Sequence, residues 1–361
     1  MPDEEIRGIK NPDKILEIVM KNLRDYTQKE LEKILGEMGE PRFRAGQIFK
    51  WLYGGAESID DMTNLSKSLR EKLKAEYTIN KLKIEQKFVS ALDETRRYLL
   101  QLDDGNFIES VLMKYHHGYT ICVSTQVGCA MGCAFCASTR GGKVRNLTPG
   151  EISGQVLTVQ EDLGERISNI VLMGMGEPLD NFASVMSFLD IINNPLGLNI
   201  GLRHVSLSTC GLADRIRELA DRQLQITLSD SLHAPSDEKR SRIMPVNRRY
   251  PIAELLDSCR YYIEKTNRRI SFEYTLISGV NDTEEEARAL LKLVSGMLCH
   301  INLIPVNEVK ETGFSASRRA AVERFRAILE KGGISATIRR EMGADISAAC
   351  GQLRASATRR A

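Results

Sequence analysis

The chain has 361 residues, 42% of them hydrophobic, with 50 Lys and Arg against 48 Asp and Glu. That composition supplies one large core plus a small satellite domain and excludes a disordered tail protein. Charges of both signs are interspersed, and no run approaches the ~18 consecutive apolar residues of a membrane helix. The opening MPDEEIRGIKNPDK is polar and acidic where an export signal would carry a basic cap and an apolar run. The expected location is therefore cytoplasmic, with no membrane partner. In a reducing compartment eight cysteines do not make a disulfide framework, and four of them crowd between Cys122 and Cys136. Such crowding points to metal or redox chemistry.

Residues 1–90 read as a small helical domain, with Leu65, Leu69 and Leu73 at helical spacing and Ile48, Trp51 and Leu52 on one face. Residues 91–117 read as a β-hairpin linker, because RRYLLQL and FIESVLM flank an Asp104-Gly105 turn. From 118 to 340 the runs YTICVS, NIVLM, RHVSLS, LQITLS, RISFEYTLI and HINLIP are each followed by a helix-period stretch, and SATIRR is a final strand candidate. The helix after the first of these strands opens at Thr148-Pro149-Gly150-Glu151, a capping box with proline in the first turn. Six βα units fall short of the eight that close a barrel, so an α/β fold with an open, partial (βα)6 barrel is predicted. Its site belongs at the C-terminal ends of the strands. Residues 341–361 form an irregular tail that holds Cys350 and ends in the basic string RASATRRA.

Cys129, Cys133 and Cys136 stand in GCAMGCAFCAS, directly after the first barrel strand. Three cysteines without a nearby fourth can ligate three irons of a cubane and leave one iron open. A zinc site completed by a distant ligand is the alternative, although zinc motifs usually pair CxxC with CxxC. Inert burial is a poor account of three cysteines in eight residues.

This spacing at the end of strand one resembles the radical S-adenosylmethionine (SAM) superfamily. The resemblance implies a [4Fe-4S] cluster on Cys129, Cys133 and Cys136 whose open iron chelates SAM. MGMGEPLDN is similar to the superfamily's GGEP element, which assigns Gly176 and Glu177 to SAM; taken alone, it is only a glycine-rich turn. IESVLM, ICVSTQVGC, VSLSTCGL, SLHAP, RIMPVN, FEYTLISGVND, NLIPVNE and DISAACGQLR, in this order, resemble the RlmN family of RNA adenosine C2-methyltransferases over nearly the whole chain. The sister family Cfr, which methylates C8, shares the cluster and the two further cysteines.

The resemblance implies methylation of adenine 2503 of 23S rRNA and adenine 37 of tRNA at C2. Adenine C2 is electron-poor and has no lone pair, so it cannot attack a methyl sulfonium. The family instead places a methyl group on a cysteine, by match Cys350, and a second SAM provides the radical that activates it. By match, Glu109 accepts the C2 proton and Cys122 resolves the protein–RNA adduct by forming a transient disulfide with Cys350. Without the match, Cys350 reads as an inert tail cysteine, Cys122 as a buried structural thiol and Glu109 as a solvent-facing strand carboxylate. Cys210, Cys259 and Cys299 match no functional position and are assigned to packing or surface.

The remaining SAM contacts implied by the family are Ser208, Ser231, Leu232, His233 and Asn307, all at or beyond predicted strand ends. Turn capping, or a core role for His233, is the plain alternative for each. Where the family carries a small and then an aliphatic residue before SLHAP, this chain has Ser229-Asp230, and a carboxylate there is costly unless paired. Residues 301–361 hold eleven Lys or Arg against six Asp or Glu. Lys239, Arg240, Arg242, Arg248 and Arg249 cluster after SLHAP, while Arg140, Lys143 and Arg145 follow the cysteines. These could track RNA phosphates or simply form solvated faces. The implied partners are 23S rRNA, tRNA and an external electron donor of the flavodoxin or ferredoxin type, with the chain a monomer. A zinc-stabilised RNA-binding protein without catalysis is the alternative from another class.

Overall fold

The computed structural model describes residues 20–307, 309 and 312–353. The acidic N-terminal string and the basic RASATRRA ending lie outside the described residues. The N-terminal part runs β1 (Lys21–Asn22), α1 (Gln28–Glu37), α2 (Arg44–Tyr53), α3 (Lys67–Lys74) and β2 (Tyr77–Thr78), with β1 and β2 paired in parallel. Thr27 and Glu30 close a capping box on α1, and Ser66 caps α3. Ile48, Leu52, Leu65, Leu69 and Leu73 are buried together as their spacing predicts. Buried Arg24 donates to the carbonyls of Leu52, Ala56 and Asn80 and so ties α2 to the chain leaving β2.

The helical character ends before residue 90. β3 (Lys83–Val89) is a strand, paired antiparallel with β4 (Arg96–Gln101). Its half-buried Ile84 and Phe88 are spaced by polar residues, a one-sided pattern that the charges of KIEQKFV obscure. β4 and β5 (Phe107–Tyr115) form the hairpin about the Asp104-Gly105 turn, and β5 pairs antiparallel with β6 (Gly118–Cys122). The hairpin is thus continuous with the barrel sheet rather than a separate connector.

After β6 the small antiparallel ribbon β7 (Gln126–Gly128) and β8 (Lys143–Asn146) carries the cysteine loop. Then follow α4 (Pro149–Leu163), β9 (Ile167–Leu172), α5 (Phe182–Asn193), β10 (Val205–Thr209), α6 (Ala213–Asp221), β11 (Thr227–Ser231), α7 (Asp237–Ile243) and α8 (Ile252–Thr266). The chain continues through β12 (Ile270–Leu276), α9 (Glu284–Val294), β13 (Cys299–Pro305), α10 (Arg319–Lys331) and β14 (Ala336–Ile338). The Thr148–Glu151 capping box opens α4 as read, with Pro149 in its first turn.

One ten-stranded sheet has the order β14-β13-β12-β11-β10-β9-β6-β5-β4-β3. The seven strands from β6 to β14 are parallel and adjacent in chain order. The architecture is an open α/β partial barrel with a small helical N-terminal domain. Alternation sorts the faces: Phe272, Tyr274 and Leu276 of β12 are core residues, with Tyr274 against Phe325 of α10 at 5.2 Å between ring centroids. Glu273 and Thr275, between them, face a cleft at the strand ends.

Candidate cofactor and thiol site

The cysteine loop is held on three sides. Cys129 N–H donates to Gly142 O at 3.1 Å, Ala134 N–H to Ile243 O at 2.8 Å, and Ala137 N–H to Gly351 O at 2.7 Å. Gly128 is a glycine of necessity: it has φ +75°, and a Cβ there would lie 1.9 Å from the Gly142 carbonyl oxygen. Cys129, Cys133 and Cys136 all line one cleft of about 890 Å³. They share it with Gly176, Glu177, Ser208, Ser231, His233 and Asn307. Six of the seven residues matched to SAM therefore meet there with the cysteines.

Leu232 does not. Its side chain is fully buried in the main core. Its N–H donates to Glu273 O, and its carbonyl accepts from Arg240 Nε. Strand-end position alone could not reveal that this side chain turns away from the cleft.

Glu177 anchors one wall. Its Oε1 accepts from Leu179 N–H at 2.9 Å and its Oε2 from Cys210 N–H at 2.7 Å. Burial pushes its pKa up, and these backbone donors oppose the shift. Gly176 sits at φ +101°, and a Cβ would come within 2.6 Å of Gln126 Cβ, so the chain passes here only without a side chain. His233 has a left-handed backbone (φ +56°) and packs edge-on to Phe135, 4.9 Å between ring centroids. Its Nδ1 accepts the N–H of Thr275 at 2.9 Å, which leaves the proton of the neutral ring on Nε2. Burial, helped by Arg240, lowers its pKa to about 3, so the ring is a neutral donor.

A second cavity, about 780 Å³, abuts the first. Cys122 lines it together with Val111, Met113 and Tyr115 of β5 and the C-terminal segment 348–350. Cys350 lines both cavities, as do Asn307, Met173 and Arg339. Asn307 Nδ2 donates to the Cys350 carbonyl at 2.9 Å. Burial pushes the Cys122 thiol up to about 12; Cys350 adds to this and Arg339 opposes it. All eight cysteines are free thiols.

Glu109 is not solvent-facing, as alternation alone suggested. It is 3% exposed and lies on the same face of β5 as Val111, whose register partner is Cys122. Both faces of β5 are covered, which is why alternation misleads. Its carboxylate pairs with Arg97 Nη1 at 3.0 Å.

Asp230 is buried and its carboxylate makes no hydrogen bond. The strand is regular, with Asp230 opposite Thr209 and Phe272. Burial raises its pKa to about 7, with Glu177 adding and Arg240 opposing. Cys210 packs in a small buried cluster at the cleft wall, where its backbone N–H donates to Glu177; Cys259 is a core residue and Cys299 is half-buried.

Much of the basic run is already paired. Arg240 is fully buried, Lys239 pairs with Glu286, Arg242 with Glu238 and Arg249 with Asp214. Lys143 pairs with Asp180, and Arg145 with Asp104 and Glu151. Met173, Arg339 and Glu273 were missed in sequence. The signal that could have found them is position, since each lies on or just beyond a parallel strand.

Residues 21–79 match the ribosomal RNA large subunit methyltransferase N-terminal domain, and residues 123–291 match the radical SAM superfamily. A probable dual-specificity RNA methyltransferase RlmN of Alkaliphilus oremlandii is 58% identical over 92% of this chain and 97% of its own length. A relative of the same description from Clostridium botulinum is 56% identical over 93% of this chain and 97% of its own. The chain belongs to the RlmN family. A crystal structure of a radical SAM methyltransferase from Sphaerobacter thermophilus, 45% identical, superposes with TM-score 0.87 over 93% of this chain and 99% of that one.

As an RlmN-family radical SAM enzyme the chain uses a [4Fe-4S] cluster and SAM, and its residues fit both. Among the described residues no trio of His, Cys, Asp or Glu gathers tightly enough for a single ion. Three thiols around one cleft suit a cage in which each iron takes its own cysteine. Burial raises the pKa of all three, Cys129 to about 12, so to hold iron they would have to release their protons as the metal binds. Among the described residues no helix of this RlmN-family chain is long and apolar enough to cross a membrane.

Proposed function

We propose that this RlmN-family enzyme methylates C2 of an adenosine in 23S rRNA and in tRNA, with Cys350 as the methyl carrier. The observation that carries the reading is that Cys350 belongs to two cavities, one lined by the three cluster cysteines and the other by Cys122. A carrier needs both addresses, one where it is charged and one where it delivers. When bound, the cluster and SAM supply the 5′-deoxyadenosyl radical.

Cys129, Cys133 and Cys136 would hold the cluster. Glu177, backed by Gly176, would take the SAM amino group, and Ser208, Ser231, His233 and Asn307 supply hydrogen-bonding groups around the same cleft. Asn307 bonds the Cys350 carbonyl and so fixes the carrier where the cavities join. Cys350 takes a methyl group at sulfur by displacement. It loses a hydrogen atom from that group and forms a carbon–carbon bond to C2 of the adenine. Glu109 accepts the C2 proton and the adduct gives up its unpaired electron to the redox centre that supplied it, so the ring recovers aromaticity. Cys122 then attacks the sulfur of Cys350; the carbon–sulfur bond breaks with its electron pair going to the methylene carbon, which takes up a proton to become the methyl group, and the methylated base leaves with a disulfide behind. An external two-electron donor returns both thiols. Arg339, within electrostatic reach of both cysteines, favours the attacking thiolate.

The target adenosine must leave its stack to enter the cavity, which favours loop regions of both RNAs, and both are substrates of the cytoplasm. The test is anaerobic incubation of reconstituted enzyme with SAM, reductant and unmodified rRNA and tRNA, followed by nucleoside mass spectrometry. 2-Methyladenosine in both RNAs is the expected result. 8-Methyladenosine, or 5′-deoxyadenosine with no methylated nucleoside, overturns the reading.

A further inference from the structure

Arg240 stands in a basic run of the sequence, yet it is among the largest fully buried side chains of the protein. Its Nε donates to Leu232 O at 3.1 Å. Its Nη1 donates to Asn247 Oδ1 at 2.9 Å and Tyr250 O at 3.5 Å, and its Nη2 to Cys210 O at 2.8 Å and Ser231 O at 3.1 Å. Every acceptor is a neutral oxygen. Cys210 follows β10, while Ser231 ends β11 and Leu232 follows it, so one guanidinium ties two neighbouring walls of the cofactor cleft.

The tie reaches further on each side. Cys210, whose carbonyl accepts from Arg240, gives its N–H to the Glu177 carboxylate. Ile243, at the end of the helix that carries Arg240, accepts from Ala134 between Cys133 and Cys136. Gly211 makes room: at φ +99°, a Cβ there would lie 2.9 Å from Leu255 Cδ1 and 3.0 Å from Arg240 Nη2.

We propose that Arg240 is the positioning residue of the cofactor cleft: it holds the β10 wall, the β11 wall and the cluster loop in one arrangement, so that Glu177 and the Ser231–His233 turn meet SAM together. This rests on the reading of Glu177 and Ser231 as SAM ligands. Arg240 itself does not line the cleft, so it acts through the backbone it binds. Its donors are occupied by carbonyl and amide oxygens, while Asp230 behind it makes no hydrogen bond. Hydrogen bonding, not pairing with Asp230, therefore holds the guanidinium.

The test compares the parent holoenzyme with Arg240→Met, Arg240→Lys and Asp230→Ile, each reconstituted anaerobically. Iron and sulfide content, the SAM dissociation constant from equilibrium dialysis, and the change in the cluster's electron paramagnetic resonance spectrum on SAM addition are measured without RNA. Arg240→Met should keep its cluster and bind SAM at least about 10-fold more weakly, the scale of losing a buried charge-assisted hydrogen bond. It should also show a smaller spectral change. Arg240→Lys, which supplies fewer donors in another geometry, should fall between. Asp230→Ile should stay within about twofold of the parent, since it removes no hydrogen bond.

Parent-like SAM affinity in a cluster-replete Arg240→Met overturns the proposal, as does an equal loss in Asp230→Ile. Should Arg240→Met not fold, Arg240→Lys decides, and unchanged affinity there overturns it. A parent enzyme that binds SAM but leaves RNA unmethylated would count against the proposed function and not against this role.

Discussion

The two cavities share a wall and are held in different ways. The cofactor cleft is framed by backbone: strand ends in parallel register, Gly128 and Gly176 where no side chain fits, and the carbonyls gathered by Arg240. The thiol cavity is closed by a segment outside the barrel. The turn between β3 and β4 clasps it, with Asp345 accepting from Ser90 Oγ and Ala91 N–H and Asp93 accepting from Gly343 N–H. One side is fixed by the fold and the other by a few polar contacts and a small apolar cluster that takes in Met342, Ala348 and Leu353, so the two should fail separately.

The sharpest break separates cluster from carrier. Cys133→Ala should lose iron, sulfide and all SAM cleavage, whereas Cys350→Ala should keep the cluster and make no methylated RNA. RNA methylation by Cys350→Ala would remove it from the mechanism. Next is Cys122→Ala, which should accumulate a covalent protein–RNA species seen as a slow band on a denaturing gel; an active preparation without that band excludes Cys122 as the resolving thiol. Asp345→Ala removes two hydrogen bonds of the clasp. It should lower RNA methylation several-fold while SAM affinity stays at the parent value, and an equal fall in both would merge the two regions.

The smallest effect concerns stability and pH. Asp230 titrates near 7 in the folded protein and near ~3.9 when unfolded. Between those values the folded state holds a proton that the unfolded chain has released, so this residue's contribution to stability falls as pH rises through the window. Asp230→Ile should therefore raise the unfolding temperature relative to the parent by a margin that grows from about pH 4 to pH 7 and is level above. A margin independent of pH would show that the carboxylate is not the cause.

Much of this arrangement was legible in the sequence. The seven parallel strands, the Thr148 capping box and the cysteine loop follow from periodicity, cap chemistry and spacing, which are local properties. Side-chain direction at element ends was not. Leu232 and His233 are consecutive, yet one enters the core and the other lines the cleft, because the backbone turns left-handed at His233. Arg240 reads as one more surface cation until α7 packs it inward, and Glu109 reads as exposed until both faces of β5 are covered. These outcomes depend on what packs against a residue, and its neighbours in sequence do not carry that information. β3 was lost for another reason, since its charged residues masked a strand that is half-buried only at Ile84 and Phe88.

The sheet's spatial order from β6 to β14 is also its order along the chain. During synthesis each parallel strand can therefore dock on the one made just before it. The cluster loop and the Glu177 wall leave the ribosome far ahead of Cys350. The last described residues then seal onto the early loop, through Ala137 N–H to Gly351 O and Ser138 Oγ to Leu353 O. Birth order thus puts Cys129, Cys133 and Cys136 into the chain well before the C-terminal segment that comes to cover their loop.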